Sequence, residues 1–225
     1  MIGLAFGLFF VLFFGIAALF VVLATGTSRM WKSRPKALRA FAERRGFQFV
    51  DQPEKPTKLY PIWPVERPGE VKDLDISAAV VGRARDTQFT LFDLFKWILA
   101  TGSKRNFMSR YETFITFKTD GLRWPSFEFS AIVDGSTLRE RFLAPGPQLR
   151  VDDPASERLI REALTAVLAN RPGWWIGAKD DTLTMLRSRE QSMSMRMFVP
   201  NDEIDRFFDE AVEIERGLRR VATRP

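Results

Sequence analysis

The chain begins with an apolar segment. From Ile2 to Leu23 no side chain is charged or polar, and sixteen of the 22 residues are Leu, Ile, Val or Phe. As a helix this segment would be about 33 Å long, enough to cross a bilayer core of about 30 Å. A cleaved signal peptide would need a basic start and an apolar core of about 7–15 residues. The segment has neither, so the sequence predicts a single N-terminal transmembrane helix, with residues 1–28 as the anchor.

A cluster of basic residues follows the apolar segment directly. Seven Lys and Arg residues and one acid lie between Arg29 and Arg45, which accounts for the whole net charge of +6 and leaves the rest of the chain neutral. Bases close to a span stay on the cytoplasmic side of the membrane. The sequence therefore predicts a plasma (inner) membrane protein with its N-terminus outside and its domain in the cytoplasm. The predicted contacts with anionic lipid headgroups are Arg29, Trp31, Lys32, Arg34 and Lys36.

Three glycines of the apolar segment recur at multiples of four residues. Gly3 and Gly7 match the pattern by which two membrane helices approach closely, and Gly15 continues the same seam. Glycine is also frequent in membrane spans generally, and the Phe residues would fill such an interface equally well. Self-association through Gly3, Gly7 and Gly15, giving a homodimer, is therefore one of two open interpretations.

The chain contains no cysteine and no histidine. This excludes disulfides, thiolate nucleophiles, zinc sites built on Cys or His, and Ser-His-Asp triads. Gly-rich phosphate-binding loops are absent as well, so no catalytic, cofactor-binding or metal-binding residue is predicted. The neutral charge beyond residue 45 argues against nucleic acid as a partner. Met193, Met195 and Met197 have thioethers suited to Cu(I), but an alternating strand with these side chains in the core is the simpler interpretation.

The remaining sequence predicts one folded domain behind a short basic link, residues 29–35. A helix is predicted over residues 36–46, because Pro35 suits its start and Gly46 its end. Five prolines between residues 51 and 75 predict an irregular loop. Alternating apolar residues then predict strands over residues 76–84, 87–97, 111–119 and 127–132, with a hairpin turn at Arg85-Asp86 between the first two. In the third strand the alternation places Thr113, Ile115 and Phe117 on one face and Thr116 and Lys118 on the other.

The last third of the sequence changes its period. Asp153-Pro154 predicts the start of a helix whose apolar stripe includes Leu159, Ile160 and Leu164. A hairpin is predicted over residues 174–186, and a final helix begins at Asn201. The predicted fold class is therefore α+β: a single N-terminal transmembrane helix, followed over residues 36–225 by a cytoplasmic antiparallel sheet domain with packed helices.

Six acids of the domain are candidates for chemistry, namely Asp73, Asp75, Asp93, Asp134, Asp180 and Asp181. Asp180 and Asp181 fall in a predicted turn, where Asp bonds to the local backbone. Asp93 is unusual because it lies within the apolar run Leu91-Phe92-Asp93-Leu94-Phe95. A carboxylate there is at a sheet edge, paired with a base such as Arg83, or functional, and the ion pair is the favoured interpretation.

Three short motifs carry a resemblance to known proteins. Val81-Gly82-Arg83, Leu91-Phe92-Asp93 and Pro125-Ser126-Phe127-Glu128-Phe129 resemble a pattern in uncharacterised bacterial single-pass membrane proteins with a domain of unknown function. The similarity covers roughly residues 37–218. It implies a bacterial inner-membrane setting and no particular activity.

The function that the sequence predicts is a non-enzymatic binding or scaffold domain held at the cytoplasmic membrane face. Its partner would be an unidentified protein or an anionic lipid surface, and its membrane contact would run through residues 2–23. The alternative is an enzyme that acts on a lipid or membrane substrate through carboxylates. The two differ in one observable: an enzyme needs Asp93 and a second acid to converge in an apolar pocket, whereas an Arg capping Asp93 at a sheet edge favours a structural role.

Overall fold

The computed structural model describes residues 33–51, 53, 71–99, 107–130, 148–187 and 199–223. The chain divides into two compact units, residues 1–37 and residues 38–225. Residues 33–45 form helix α1, so the helix predicted over residues 36–46 is present. The chain leaves this helix through Gly46, whose φ of 67° is the left-handed conformation that a glycine adopts without steric cost.

An antiparallel sheet forms the centre of the second unit. Over the described residues its eight strands are β1 (Gln48–Asp51), β2 (Val71–Ala84), β3 (Thr87–Leu99), β4 (Phe107–Lys118), β5 (Trp124–Ser130), β6 (Gln148–Val151), β7 (Trp174–Asp180) and β8 (Thr182–Arg187). Their order across the sheet is β1-β2-β3-β4-β8-β7-β5-β6, and every neighbouring pair is antiparallel. Helix α2 (Glu157–Leu168) precedes β7, and helix α3 (Ile204–Leu218) follows β8.

One face of the sheet, called the helix face here, carries the helices. Successive residues of a strand point to opposite faces, and the strand register places these buried side chains on the helix face: Phe89, Leu91, Ile115, Phe117, Ile176, Leu183 and Met185. The ring of Phe208 in α3 lies 4.8 Å from that of Phe89, and Phe207 stacks on Trp174 at 5.3 Å. Burying each such side chain contributes roughly 1.5–3 kcal/mol, which fixes α3 on this face.

Helices α1 and α2 complete the same layer. Phe41 of α1 contacts Phe208 of α3, with ring centroids 5.5 Å apart, and Phe47 packs between them and Phe89. Helix α2 packs on α3, where Val167 lies directly against Gly217. The described contacts of all three helices therefore run to the helix face or to one another.

The opposite side of the sheet, called the outer face, divides into rows that run across the strands. The strand register aligns an apolar row of Ala79, Phe92, Phe114, Leu186 and Trp175, all of them buried. Next to it lies a threonine row of Thr90, Thr116 and Thr184, followed by Gly177. The last row, called the basic row, consists of Arg83, Gln88, Lys118, Thr182 and Lys179. The outer face thus changes from buried and apolar to exposed and charged towards one end of the sheet.

The predicted fold class is wrong. The described residues form an eight-stranded antiparallel sheet with three helices, and none of these helices is long and apolar enough to cross a membrane. Helices α2 and α3 are unsuited to a bilayer because each has apolar residues on one side and charged residues on the other. The apolar segment of residues 2–23, with Gly3, Gly7 and Gly15, lies outside the described residues.

Several local predictions can be compared with the observed elements. The hairpin around Arg85-Asp86 is confirmed, and Arg85 takes the positive φ of 60° that its tight turn requires. The irregular loop was predicted too long, because β2 already begins at Val71. Leu159 was wrongly placed in the buried stripe of α2, since it is 47% exposed. Met193, Met195 and Met197 lie outside the described residues.

Candidate interaction surface

Asp93 lies on an interior strand of the sheet rather than at an edge. It belongs to β3, the third strand of eight, and is 0% exposed on the helix face. Thr113 on β4 donates a hydrogen bond from Oγ1 to Asp93 Oδ1 at 2.6 Å, and Thr113 Oγ1 in turn accepts the backbone N–H of Val199 at 3.0 Å. The carboxylate is thus part of a hydrogen-bonded chain that ties β3 and β4 to the segment leading into α3.

The ion pair predicted between Asp93 and Arg83 is wrong. Arg83 points to the outer face, so the sheet separates the two side chains. Its guanidinium donates instead to the carbonyl of Asp86 at 2.9 Å. The error arose because both residues were assigned to neighbouring strands without the register that decides which face each one occupies.

The acids considered for chemistry do not converge over the described residues. Glu112, buried at 5% exposure, precedes Thr113 in the same strand and therefore points to the face opposite Asp93. Asp180 ends β7 with a φ of 53°, and Asp181 follows it in the turn to β8. Asp73 and Asp75 lie in β2, and Asp134 is outside the described residues. No group of three or more potential metal ligands occurs in the described part of the chain.

The acids of α3 are all paired with arginines. Asp205 binds Arg44 at 2.6 Å and Arg45 at 2.7 Å, and Asp209 binds Arg45 at 2.8 Å. Further along the helix, three more pairs are Glu210 with Arg187 of β8, Glu213 with Arg171, and Glu215 with Arg219. Because the partners come from α1, from β8 and from the segment after α2, these arginine pairs hold the helical layer together.

The last of these pairs extends to the β2–β3 turn. Arg219 donates two hydrogen bonds to the carboxylate of Asp86, at 2.7 Å and 2.9 Å, and one to Glu215 at 2.7 Å. The bonds from Arg219 lower the pKa of Asp86 to about 2. Burial raises the pKa of Glu215, and the bond from Arg219 offsets only part of that shift. The cluster fixes the turn to the end of α3.

The threonine row of the outer face contains one side-chain hydrogen bond and lies beside another. Thr116 Oγ1 donates to the carbonyl of Thr90 at 3.3 Å, and Trp175 Nε1 donates to Glu128 Oε1 at 3.1 Å beside Gly177. Thr184 Oγ1 is buried and finds no hydrogen-bond partner among the residues that the structure describes. The side chains of the threonine row are short, so they project little from the sheet.

The basic row carries exposed charges that are only loosely held. Arg83 lies 4.0 Å from Asp120, and Lys118 lies 3.4 Å from Asp181, with all four side chains about half exposed. Exposed pairs of this kind contribute at most about 1 kcal/mol each. Lys179 has no ion pair within the described ranges, and it is exposed. The row therefore offers three bases to a partner.

The residues predicted to contact lipid headgroups are only partly described. Arg29, Trp31 and Lys32 lie outside the described residues. Arg34 is 1% exposed, whereas Lys36 on the same helix is exposed. The headgroup contacts stay a prediction, and the burial of Arg34 shows that this residue is not a free surface charge.

Sequence reasoning did not find the basic row. It assigned Lys118 to the same face of its strand as Thr116, which the register confirms, but it did not connect Lys118 with Arg83 or Lys179. Those residues are brought together by pairing between strands that are distant in the sequence, and no local pattern encodes that pairing. Comparisons of the chain with protein-family models, with curated proteins and with solved structures find no match. The resemblance to bacterial membrane proteins consequently stays a prediction.

Proposed function

We propose that this chain is a non-enzymatic binding domain that works at the cytoplasmic face of a membrane and binds a protein partner on the outer face of its sheet. One observation carries this proposal. Each acid of α3 has an arginine partner, whereas the basic row of the outer face keeps its exposed bases in loose pairs or, over the described residues, in none. Unsatisfied surface charge is what a partner can use for specific association.

The membrane setting is supported by the charge distribution along the sequence. The seven bases between Arg29 and Arg45 precede a region of balanced charge. Each base near an anionic surface contributes about 1 kcal/mol of attraction, and the effect decays within a Debye length of about 8–10 Å. Lys36 is exposed and available for such contact, and Arg39 is exposed on the next turn of α1.

The geometry gives less support to the alternative, a carboxylate enzyme. That hypothesis requires Asp93 and a second acid in one pocket. Asp93 instead accepts a hydrogen bond from Thr113 on the helix face, and Glu112 points to the outer face. The arrangement favours a structural role for Asp93.

Photo-crosslinking of the full chain in its native membranes tests the proposal. A photoreactive amino acid replaces Gln88, which is exposed in the basic row, and a control variant carries it at Ala166, which is exposed on α2. We expect a discrete protein adduct from position 88 and none from position 166. Absence of any adduct at position 88, or equal adducts at both positions, would overturn the proposed docking face.

A further inference from the structure

The basic row has a regular spacing that restricts what binds there. Its bases lie on β2, β4 and β7, and each pair is separated by one strand that contributes a neutral residue, Gln88 or Thr182. Neighbouring strands are about 4.8 Å apart, so the three bases follow one another at intervals of roughly 10 Å. All three are on one line and on one face of the sheet.

We infer that the partner presents an acidic, extended segment that crosses the strands along the basic row and pairs its carboxylates with Arg83, Lys118 and Lys179. This inference rests on the proposed function and names the chemistry of its docking site. In the extended polyproline II conformation a chain advances about 3.1 Å per residue with three residues per turn, so acids three residues apart lie on one side at intervals of about 9 Å and match the spacing of the bases. Charge complementarity of this kind sets the register and increases the association rate.

The surroundings of the row suit a peptide. The neighbouring threonine row has short side chains, and Thr90 and Thr116 are half-buried, so this row of the described sheet places no bulky side chain beside the bases. The row also lacks the apolar side chains by which a protein surface inserts into lipid. Leu159, the exposed large hydrophobic residue of the described part of the chain, lies on α2 and away from this face.

The acids already near the row do not block a partner. Asp120 and Asp181 belong to turns at the end of the sheet and reach Arg83 and Lys118 at 4.0 Å and 3.4 Å. A well-formed pair in the same protein, Arg219 with Asp86, has two bonds at 2.7 Å and 2.9 Å. In these looser pairs a carboxylate of the partner can readily replace the aspartate or bind the base beside it.

Binding of a model peptide to the full chain tests the inference. The probe is a fluorescent peptide of four Glu-Thr-Thr repeats, and its matched control has Gln in place of Glu. We expect the wild-type chain to bind the Glu peptide and not the Gln peptide. Replacing Arg83, Lys118 and Lys179 together by Gln should weaken binding of the Glu peptide about tenfold, since each exposed ion pair contributes a few-fold to the affinity. Arg158→Gln, which removes an exposed charge on α2, should leave the affinity unchanged.

A single substitution in the basic row separates an effect on binding from an effect on folding. Lys179→Gln removes a base that has no ion pair among the described residues, so it should weaken peptide binding a few-fold with an unchanged melting temperature. Equal binding of the Glu and Gln peptides, or unchanged affinity in the triple variant, overturns the inference. The inference is also overturned if the triple variant no longer binds phosphatidylglycerol vesicles but still binds the Glu peptide, because the row would then be a lipid contact.

The failure of the inference and that of the proposed function give different results. If the adduct from position 88 persists in the triple variant, a protein docks on the outer face by other chemistry, and only the acidic segment is excluded. If the wild-type chain gives no adduct at position 88, the proposed function fails whatever the peptide does.

Discussion

The two faces of the sheet are built from alternate residues of the same strands, yet their side chains have different surroundings. On the helix face, aromatic rings of α1 and α3 interlock with those of the strands, and arginines with short bonds close the layer around them. On the outer face, a buried apolar row gives way to threonines and then to exposed bases. Since strand backbone and twist are shared, the difference arises from side chains alone. It indicates that one face is committed to stability while the polar end of the other remains available for contact.

The largest effect should come from the aromatic cluster of the helix face. Phe208→Ala removes a ring that lies within 5.5 Å of those of Phe41, Phe47 and Phe89, and should lower the free energy of unfolding by about 3–5 kcal/mol. Thr90→Ala in the threonine row should cost less than about 1 kcal/mol. Urea unfolding of both variants measures the contrast, and similar costs would remove the distinction between the faces.

The contact between α2 and α3 should give the next largest effect. An added Cβ at Gly217 would collide with the side chain of Val167, so Gly217→Ala should lower stability by about 1–3 kcal/mol despite the higher helix propensity of alanine. In a Val167→Ala background the collision is absent, and the same substitution should then be neutral or stabilising by up to about 1 kcal/mol. A double-mutant cycle from thermal unfolding tests this, and additive effects would contradict the close packing.

The cluster at the β2–β3 turn should make the free energy of unfolding depend on pH in the acidic range. The pKa of Asp86 is lowered to about 2, so its bond to Arg219 stabilises the fold above the ordinary pKa of 3.8 and is lost as the pH falls towards 2. The pKa of Glu215 is raised by burial, so its protonation favours the fold as the pH falls through that raised pKa towards the ordinary value of 4.5.

Asp86→Asn separates these two contributions. The stability difference between wild type and variant should be constant above about pH 5 and should shrink as the pH falls towards 2. Asp120→Asn, which affects only the loose 4.0 Å pair with Arg83, is the matched control and should show little dependence on pH. A difference that grows in acid would mean that Asp86 is not stabilised as a carboxylate.

The smallest effect is expected within the outer face itself. Thr184 is 2% exposed, and its hydroxyl has no partner among the described residues, so Thr184→Val removes a buried polar group without changing the shape of the side chain. We expect stability to rise by up to about 1 kcal/mol and peptide binding to stay unchanged, because the hydroxyl is inaccessible to a ligand. A loss of stability would reveal a hydrogen bond made by this hydroxyl.

Strand β4 shows what the alternation of residues in one strand can and cannot predict. Its alternation predicted Thr113, Ile115 and Phe117 on one face, and the structure places all three on the buried helix face. Alternation is a property of the extended backbone and needs no partner strand. The same pattern could not predict that the opposite face runs from buried Phe114 to exposed Lys118, because that gradient depends on which strands pair and on what covers them.

Helix α2 shows the corresponding limit for helices. The predicted apolar stripe correctly placed Ile160 and Leu164 in the core, but it also included Leu159, which is exposed. The width of a buried stripe depends on how the neighbouring helix approaches, and α3 reaches α2 on the side of Val167.

The sequence by itself determined the local elements of this protein: the stop of α1 at Gly46, the hairpin at Arg85-Asp86 and the two-sided helices. These depend on backbone conformation and on the spacing of residues that are close in the chain. Only the tertiary structure decided that Asp93 bonds to Thr113, that α3 gathers arginines from three segments, and that Arg83, Lys118 and Lys179 share one row. Strand register and helix packing make these contacts, and both are settled by burial summed over the whole fold rather than by any short stretch of sequence.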